Sequence, residues 1–357
     1  MWQKNSNISK GKIYFERSQR VFIGLSGGVD SAVSAALLKS EGYDVTGVFI
    51  KVWQPDFLPC RWRDERRDAM KVCIALDIPF LFFNFEEEYK KGVVDEMLAE
   101  YKSGQTPNPD VLCNKEIKFG AFWKKARELG ADYIATGHYL TGHKDQSYFL
   151  WMLTAEDYLH TLFPVGRMEK GEVRKLARKY NLPVSEKKDS QGICFIGQVT
   201  MEEFLSHFFS TIPGKVLNTQ GEVIGSHNGV LLYTIGERHG FEITKKKPED
   251  GAFYVVSKDI EANTLAVSNK AQEIISLSPT RVVLKSVNWI KEAPKEGVLA
   301  QIRYQGEKVP VTVQHSSSDN WEVTFQNPAR GLSLGQSIVF YKDRTLLGGG
   351  VMDKVFS

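Results

Sequence analysis

Ser26-Gly27-Gly28-Val29-Asp30-Ser31 is the first stretch whose residue types point to chemistry. Paired glycines let backbone N–H groups approach an anion with no Cβ in the way. A helix beginning behind them aims its positive end at the same place. The stretch lacks the Gly-Lys-Ser/Thr ending of a Walker-type loop, so the phosphate chemistry is of another kind. Two cysteines stand in settings that suit reactive thiols. Cys113 follows Thr106-Pro107-Asn108-Pro109-Asp110, where two prolines bar helix and Asp110 is expected to cap the next one. The thiol would then fall in the first helical turn, where its pKa drops, with Lys115 and Lys118 nearby. Cys194 ends Lys187-Lys188-Asp189-Ser190-Gln191-Gly192-Ile193, a polar run that would expose a nucleophile. Both cysteines are equally compatible with plain packing roles, Cys113 in a capped helix and Cys194 between Ile193 and Phe195. His138 offers a base or a polar contact, although a lone histidine is more often structural. Cys60 and Cys73 read as packing residues.

These groups need elements to hold them, and the first half supplies strands alternating with helices. Val21–Leu25, Val45–Val52, Ile78–Phe85 and Tyr133–Thr136 are apolar runs of strand length. Ser31–Ser40, Asp64–Leu76 and Glu86–Lys102 carry helical spacing between them. Alternation of this kind predicts an α/β fold with a doubly wound parallel sheet. Ligands of such sheets sit at the carboxyl ends of the strands, where the Gly27-Gly28 loop and Thr136-Gly137-His138 both fall. Lys144-Asp145-Gln146-Ser147-Tyr148-Phe149 reads as a polar cap running into an apolar helix. After about residue 210 helical spacing disappears. Val230–Tyr233, Phe253–Val256, Thr264–Val267, Arg281–Leu284, Val298–Tyr304, Val309–Val313, Trp321–Phe325 and Gln336–Tyr341 read as strands, with turns at Asn218–Gly221, Glu261–Asn263 and Ser317–Asn320. One or two small β-barrels are expected, divided near Ser276–Pro279. The domains are thus drawn at 1–210, 211–276 and 277–357.

Composition sets bounds on partners. The chain has 357 residues and a net charge of +3, which neither demands nor excludes a nucleic acid. Lys4, Lys10, Lys12, Arg17 and Arg20, and Lys245-Lys246-Lys247, form local basic clusters whose plainest reading is solvated surface. No apolar run reaches the length of a membrane span, and no secretory signal is evident, so a cytoplasmic protein without a membrane partner is expected. The four cysteines form no C-x-x-C pair, so no structural metal site is expected.

Taken together these stretches resemble one family. Ser26–Ser31 looks like the SGG-x-DS signature of the PP-loop ATP pyrophosphatases, which cleave ATP between its α- and β-phosphates. LSGGVDS, TPNPDVLCNKEIKF, ATGHY, KDQSYFL, LFPVG and KKDSQGICFIG occur in the order seen in the tRNA-specific 2-thiouridylases (MnmA/TrmU), and the resemblance runs from about residue 20 to the end through TIGERHG, IRY, GQSIVFY and GGG. It implies an adenine-nucleotide alpha hydrolase-like catalytic domain, a small central β-rich domain and a C-terminal β-barrel that contacts tRNA. It implies ATP and Mg²⁺, a wobble-uridine tRNA, and a persulfide sulfur donor or cysteine desulfurase as partners of a monomer. Carried over by motif, Gly24, Leu25, Ser26, Gly27, Gly28, Val29, Asp30, Ser31, Ile50 and Gly137 would bind ATP. Asn108, Pro109 and Asp110 would meet the target base, with Asp110 as acid/base. His138, Lys144, Asp145, Gln146, Arg303, Tyr304 and Gln336 would contact tRNA. Cys194 would carry a persulfide and Cys113 would resolve it, leaving a Cys113–Cys194 disulfide. The sequence departs from the family between Tyr139 and Lys144, where a longer insert is usual. It also departs at Gly236-Glu237-Arg238-His239-Gly240, where GQRKG is usual. A PP-loop ligase or amidotransferase acting on a small molecule, and a non-catalytic tRNA-binding protein, are the competing readings. The first would not need the two cysteines; the second would release no pyrophosphate.

Overall fold

The computed structural model describes residues 18–60, 62–188, 199–209, 211–244, 246, 249–294, 296–317 and 320–356. Cys194 with its motif from Asp189 onward, the basic residues up to Arg17, and most of the Lys245–Lys247 cluster lie outside them.

Five parallel strands form the first sheet: β1 (Arg20–Gly24), β2 (Asp44–Lys51), β3 (Phe80–Asn84), β4 (Tyr133–Ala135) and β5 (Thr161–Leu162). Their spatial order is β3-β2-β1-β4-β5, the doubly wound arrangement that the alternation predicts. Val21, Ile23, Val48 and Ala135 are sealed from solvent, because helices cover both faces of a parallel sheet. Helix α1 (Val29–Ser40) buries Ala32, Val33, Ala35 and Ala36 on one face of the sheet. Its small residues let it lie close to the strands. Helix α2 (Trp62–Leu76) places Ala69, Val72, Cys73 and Leu76 beside it. Strands are added outward on one side of β1 up to β3 and then, from β4, on its other side, so the crevice at the carboxyl ends of β1 and β4 is the switch point where such folds take ligands. The long helix expected at Glu86–Lys102 forms with a π-helical middle, Lys90–Asp95.

The second sheet has the order β8-β7-β6-β10-β9, from β6 (Gly214–Leu217), β7 (Val223–His227), β8 (Glu242–Ile243), β9 (Tyr254–Asp259) and β10 (Thr264–Ser268). Here two expectations fail. Val230–Leu232 is a single 3-10 turn, not a strand. Gly229, at φ +148, re-aims the chain there so that Val230, Leu232 and Tyr233 turn into the core. Helical spacing also does not vanish, since Ala271–Ser276 forms a short helix.

The last six strands close into a barrel ordered β11-β14-β13-β12-β15-β16: β11 (Arg281–Trp289), β12 (Val298–Gln301), β13 (Lys308–Ser317), β14 (Asn320–Phe325), β15 (Ser337–Lys342) and β16 (Thr345–Phe356). Closure pairs Arg281 with Phe356 and removes the sheet's edges. The barrel docks on the domain of the first sheet through Trp151. This ring is fully buried, donates from Nε1 to Ser337 Oγ (3.0 Å), and leaves no room for a Cβ at Gly349. Asn288 Nδ2 completes the seam by donating to the carbonyls of Trp151 (2.7 Å) and Leu153 (2.9 Å).

Candidate active site

The Ser26–Ser31 loop leaves β1 and enters α1 with Gly28 as N-cap, and among the described residues no side chain caps the helix. An uncapped N-terminus offers its first N–H groups to an anion. Gly27 requires its missing side chain. It sits at φ +72, and a Cβ there would lie 2.6 Å from the Glu65 carbonyl. Gly137, after β4, lies equally close, since its Cβ would stand 2.8 Å from Ser31 N. Two hydroxyls line the turn: Ser26 Oγ accepts from Gly28 N (3.3 Å) and lies 3.4 Å from Ser31 Oγ, which also accepts from Ser26 N (3.3 Å). Gly24 and Leu25 bring the chain out of the sheet, and Val29 is buried in α1. Ile50, the penultimate residue of β2, is half-buried opposite Phe83.

Residues that motif reading did not single out complete this end. Asp30 Oδ1 accepts from Lys170 Nζ and from Tyr139 Oη, both at 2.6 Å. Lys187 Nζ donates to the Gly27 carbonyl (3.0 Å) and to Asp68 Oδ2 (2.8 Å). Tyr139 and Lys187 lie within stretches already noted, whereas Lys170 carries no local signal, because its partner is 140 residues away.

The Thr106–Cys113 loop is built differently. Thr106 N donates to the Leu334 carbonyl (2.7 Å) in the barrel. Its hydroxyl lies 3.3 Å from Thr234 Oγ1 of the central domain and 3.4 Å from Ser333 Oγ. Lys285 Nζ donates to Gln105 Oε1 (3.3 Å), and Gly335, at φ +86, presses directly on Gln105 and Thr106. Three domains therefore meet one residue before Pro107. The cap of the following helix is Asn108, not Asp110: Asn108 Oδ1 accepts from Val111 N (3.3 Å), and Pro109 takes the first helical position that its fixed φ suits. Asp110 is half-buried one residue further in. Cys113 consequently falls beyond the first turn, where Pro109–Leu112 passes into a π-helical segment, Cys113–Ala121, and it is 2% exposed. The expected help from the helix end is thus weaker than the sequence suggests, and the thiol is sheathed in core. Asn114 beside it donates to the Phe149 carbonyl (3.0 Å), while its own Oδ1 is buried without a partner among the described residues.

The remaining candidates gather along the domain seams. Lys144 is exposed, Asp145 Oδ1 accepts from Ser147 N (2.9 Å), and Gln146 Oε1 accepts from Tyr139 N (3.1 Å). The expected apolar helix here is only a 3-10 turn, Ser147–Leu150, because Tyr148 and Trp151 turn into the barrel. Tyr304 packs on Phe149 with ring centroids 4.6 Å apart. Arg303 Nη2 donates to the Ile235 carbonyl (2.6 Å) and clasps the central domain to the barrel. Gln336 precedes β15, and its Oε1 is buried without a partner among the described residues. His138 is buried: its Nδ1 lies 2.9 Å from Thr136 Oγ1, and its ring packs against Phe119 and Phe163. Burial, aided by the Lys118 charge, pushes its pKa well below the ordinary value, so the ring is neutral. Of the other cysteines, Cys73 is packing: burial pushes it up to about 11. Cys60 is exposed, contrary to the packing reading.

Three family profiles match in succession. One described as the tRNA methyl transferase HUP domain matches residues 19–198, a tRNA methyl transferase PRC-barrel domain matches 202–269, and an aminomethyltransferase beta-barrel domain matches 280–352. Curated relatives match nearly end to end. The tRNA-specific 2-thiouridylase MnmA of Nitrosomonas europaea is 42% identical over 93% of this chain and 98% of its own. Those of Klebsiella pneumoniae and Escherichia coli are 43% and 42% identical, each over 95% of this chain and 98% of the relative.

Proposed function

This chain belongs to the family of tRNA-specific 2-thiouridylases, and from that premise we propose that it replaces the C2 oxygen of wobble uridine 34 in tRNA by sulfur at the expense of ATP. The observation that carries the reading is a phosphate loop ending in an uncapped helix at the sheet's switch point, in a chain similar to these sulfurtransferases over almost its whole length.

The chemistry asks for a leaving group, because a ring carbonyl oxygen has none. The uridine O2 attacks the α-phosphorus of ATP, pyrophosphate departs, and the N3 proton is lost, leaving an O2-adenylated base. Gly27, Gly28 and the N–H groups of Val29, Asp30 and Ser31 hold the phosphates, with Gly24, Leu25, Ser26, Ile50 and Gly137 lining the rest of the nucleotide site. Among the described residues no three His, Cys, Asp or Glu side chains converge into a metal cage. Mg²⁺ would enter carried by the triphosphate, as that ion commonly is, and Asp30 is the carboxylate at the start of α1 that would hold it there. Magnesium would offset phosphate charge, and the chain's own part there is to orient Asp30 through Lys170 and Tyr139.

Sulfur then enters as a persulfide on Cys194, loaded by a donor protein or a cysteine desulfurase. In one order its terminal sulfur attacks C2 and expels AMP, and the Cys113 thiolate attacks Cys194 Sγ to free the 2-thiouridine. In the other, the Cys113 thiolate first attacks Cys194 Sγ and releases sulfide, which attacks C2 and expels AMP. Both orders leave a Cys113–Cys194 disulfide that an external two-electron thiol reductant must reset. Asn108, Pro109 and Asp110 border the base, and Asp110 moves the proton. The wobble base must leave the anticodon stack to reach them. Lys144, Asp145, Gln146, Tyr304, Arg303 and Gln336 face the tRNA along the seams. The unpartnered Gln336 Oε1 is an acceptor that an RNA donor would satisfy. His138 stands behind this surface as a buried, neutral support. We place the enzyme in the cytoplasm as a monomer.

The test is direct. Protein with ATP, Mg²⁺, a persulfide donor and unmodified tRNA should yield 2-thiouridine by nucleoside mass spectrometry, with AMP formed one for one. Absence of product, or undiminished product from the Cys194→Ala variant, sinks the reading.

A further inference from the structure

Lys187 is far in sequence from the phosphate loop, yet its ammonium closes on it. Nζ donates to the Gly27 carbonyl at 3.0 Å and to Asp68 Oδ2, on α2, at 2.8 Å. The stem is held as firmly as the head. Arg174, on the helix Lys170–Lys179, donates to the carbonyls of Ser185 and Lys187, each at 3.0 Å. Burial pushes the Asp68 carboxyl up, but the Lys187 and Lys71 ammoniums together hold it below its ordinary range, so Asp68 is a charged post for the lysine. On its other side Gly27 abuts the Glu65 backbone, one turn before Asp68 on the same helix.

The peptide joining Gly27 to Gly28 is planar, and its carbonyl and N–H point in opposite directions. A cation fixed on the carbonyl therefore fixes where the Gly28 N–H points. It points into the turn, toward Ser26 Oγ at 3.3 Å, on the side where the uncapped end of α1 awaits an anion. Glycine on both sides leaves this peptide plane little rotational restraint of its own, so an outside anchor is needed to keep the donor aimed.

We propose that Lys187, braced by Asp68, is a positioning residue that sets the Gly27–Gly28 peptide plane and so pre-orients the phosphate-binding N–H groups of the loop. It acts through the Gly27 carbonyl and does not itself touch the nucleotide. This rests on the nucleotide reading above, and its function is to spare ATP the cost of ordering the loop at the moment of binding.

Titration calorimetry on the whole protein tests it, with ATP and AMP as probes at fixed Mg²⁺. Lys187→Met should weaken ATP about tenfold and leave AMP, which lacks the β- and γ-phosphates, within twofold. Lys187→Arg should recover most of the loss, and its thermal midpoint should match the wild type. Asp68→Asn decides between positioning and direct contact. A lysine that itself bound phosphate would be released by that change and ATP would bind more tightly. A lysine that works through Gly27 loses its brace and ATP binds more weakly. Tighter or unchanged ATP binding by Asp68→Asn, or equal losses of ATP and AMP in Lys187→Met, overturns the proposal. A wild-type protein that binds no ATP overturns the functional reading instead, and the proposal falls with it.

Discussion

The two loops that bracket the chemistry are made by opposite strategies. Ser26–Ser31 is assembled inside one domain, from a strand end, two glycines and a helix start, with Lys170 and Lys187 arriving from the same catalytic domain. Thr106–Cys113 is held by three domains at once, through Leu334, Ser333, Thr234 and Lys285. A small nucleotide can be gripped by one preformed cradle. A macromolecular acceptor must be registered from several sides before one base reaches one thiol. Nucleotide handling should therefore survive damage to the β domains, and acceptor handling should not.

Experiments can break that contrast, beginning with the largest effect. Cys113→Ala should lower thiolation at least about 1,000-fold while calorimetric ATP affinity stays within twofold; a parallel loss of ATP binding would mean the loops are one unit. Paired glycine substitutions come next. Gly27→Ala forces a Cβ to 2.6 Å from the Glu65 carbonyl at a left-handed φ, a strain of about 2 kcal/mol, and should weaken ATP about 30-fold. Gly335→Ala, which pushes on Thr106 from the barrel, should instead raise the KM for tRNA about tenfold, of order 1.4 kcal/mol, at unchanged ATP affinity. Should Gly335→Ala weaken ATP as much as Gly27→Ala does, the contrast is wrong.

Two smaller effects test how the acceptor side is supported. Burial keeps His138 neutral and its pKa below 6.5. The unfolded chain takes up a proton near 6.5, so it binds more protons than the folded one just below that pH. Stability from this ring is complete above about 6.5 and is lost as the pH falls toward the folded value. His138→Asn should flatten the acid side of the thermal midpoint against pH; an unchanged slope would place the acid sensitivity elsewhere. Glu237 is the converse. Burial pushes its carboxyl above the ordinary 4.5, although Thr234 N donates to it at 2.9 Å and Arg303 and His239 oppose the shift. A raised carboxyl stabilises at low pH and loses that as the pH rises through its folded value. Glu237→Gln should raise the thermal midpoint by about 2 °C at pH 7 and by nothing below pH 4.5.

Much of this was legible without coordinates. The alternation of buried runs with helical spacing was enough to give β3-β2-β1-β4-β5 its parallel, doubly wound form, because strand burial and helix amphipathicity are written locally. The glycine turn that leads into α1 was legible for the same reason. The misreadings have a common cause. Asp110 looked like the cap because it follows two prolines that were expected to bar helix, but Asn108 captures Val111 N first and Pro109 pre-sets the helical φ. Val230–Tyr233 looked like a strand because it is apolar, but Gly229 turns it inward. Lys144–Phe149 looked like a cap running into an apolar helix, but the barrel supplies partners for Tyr148 and Trp151 and only a 3-10 turn forms.

By itself, then, the sequence determined the family, and it marked the glycine loop and the thiols to which the chemistry is assigned, since these depend on residue types in short spacings. Only the tertiary structure decided how those groups are aimed. Lys170 meets Asp30 across 140 residues, Lys187 meets Gly27 across 160, and Thr106 meets Ser333 across 227. Contacts at such separations leave no local trace, because they come into being only when sheet, helices and barrel have packed.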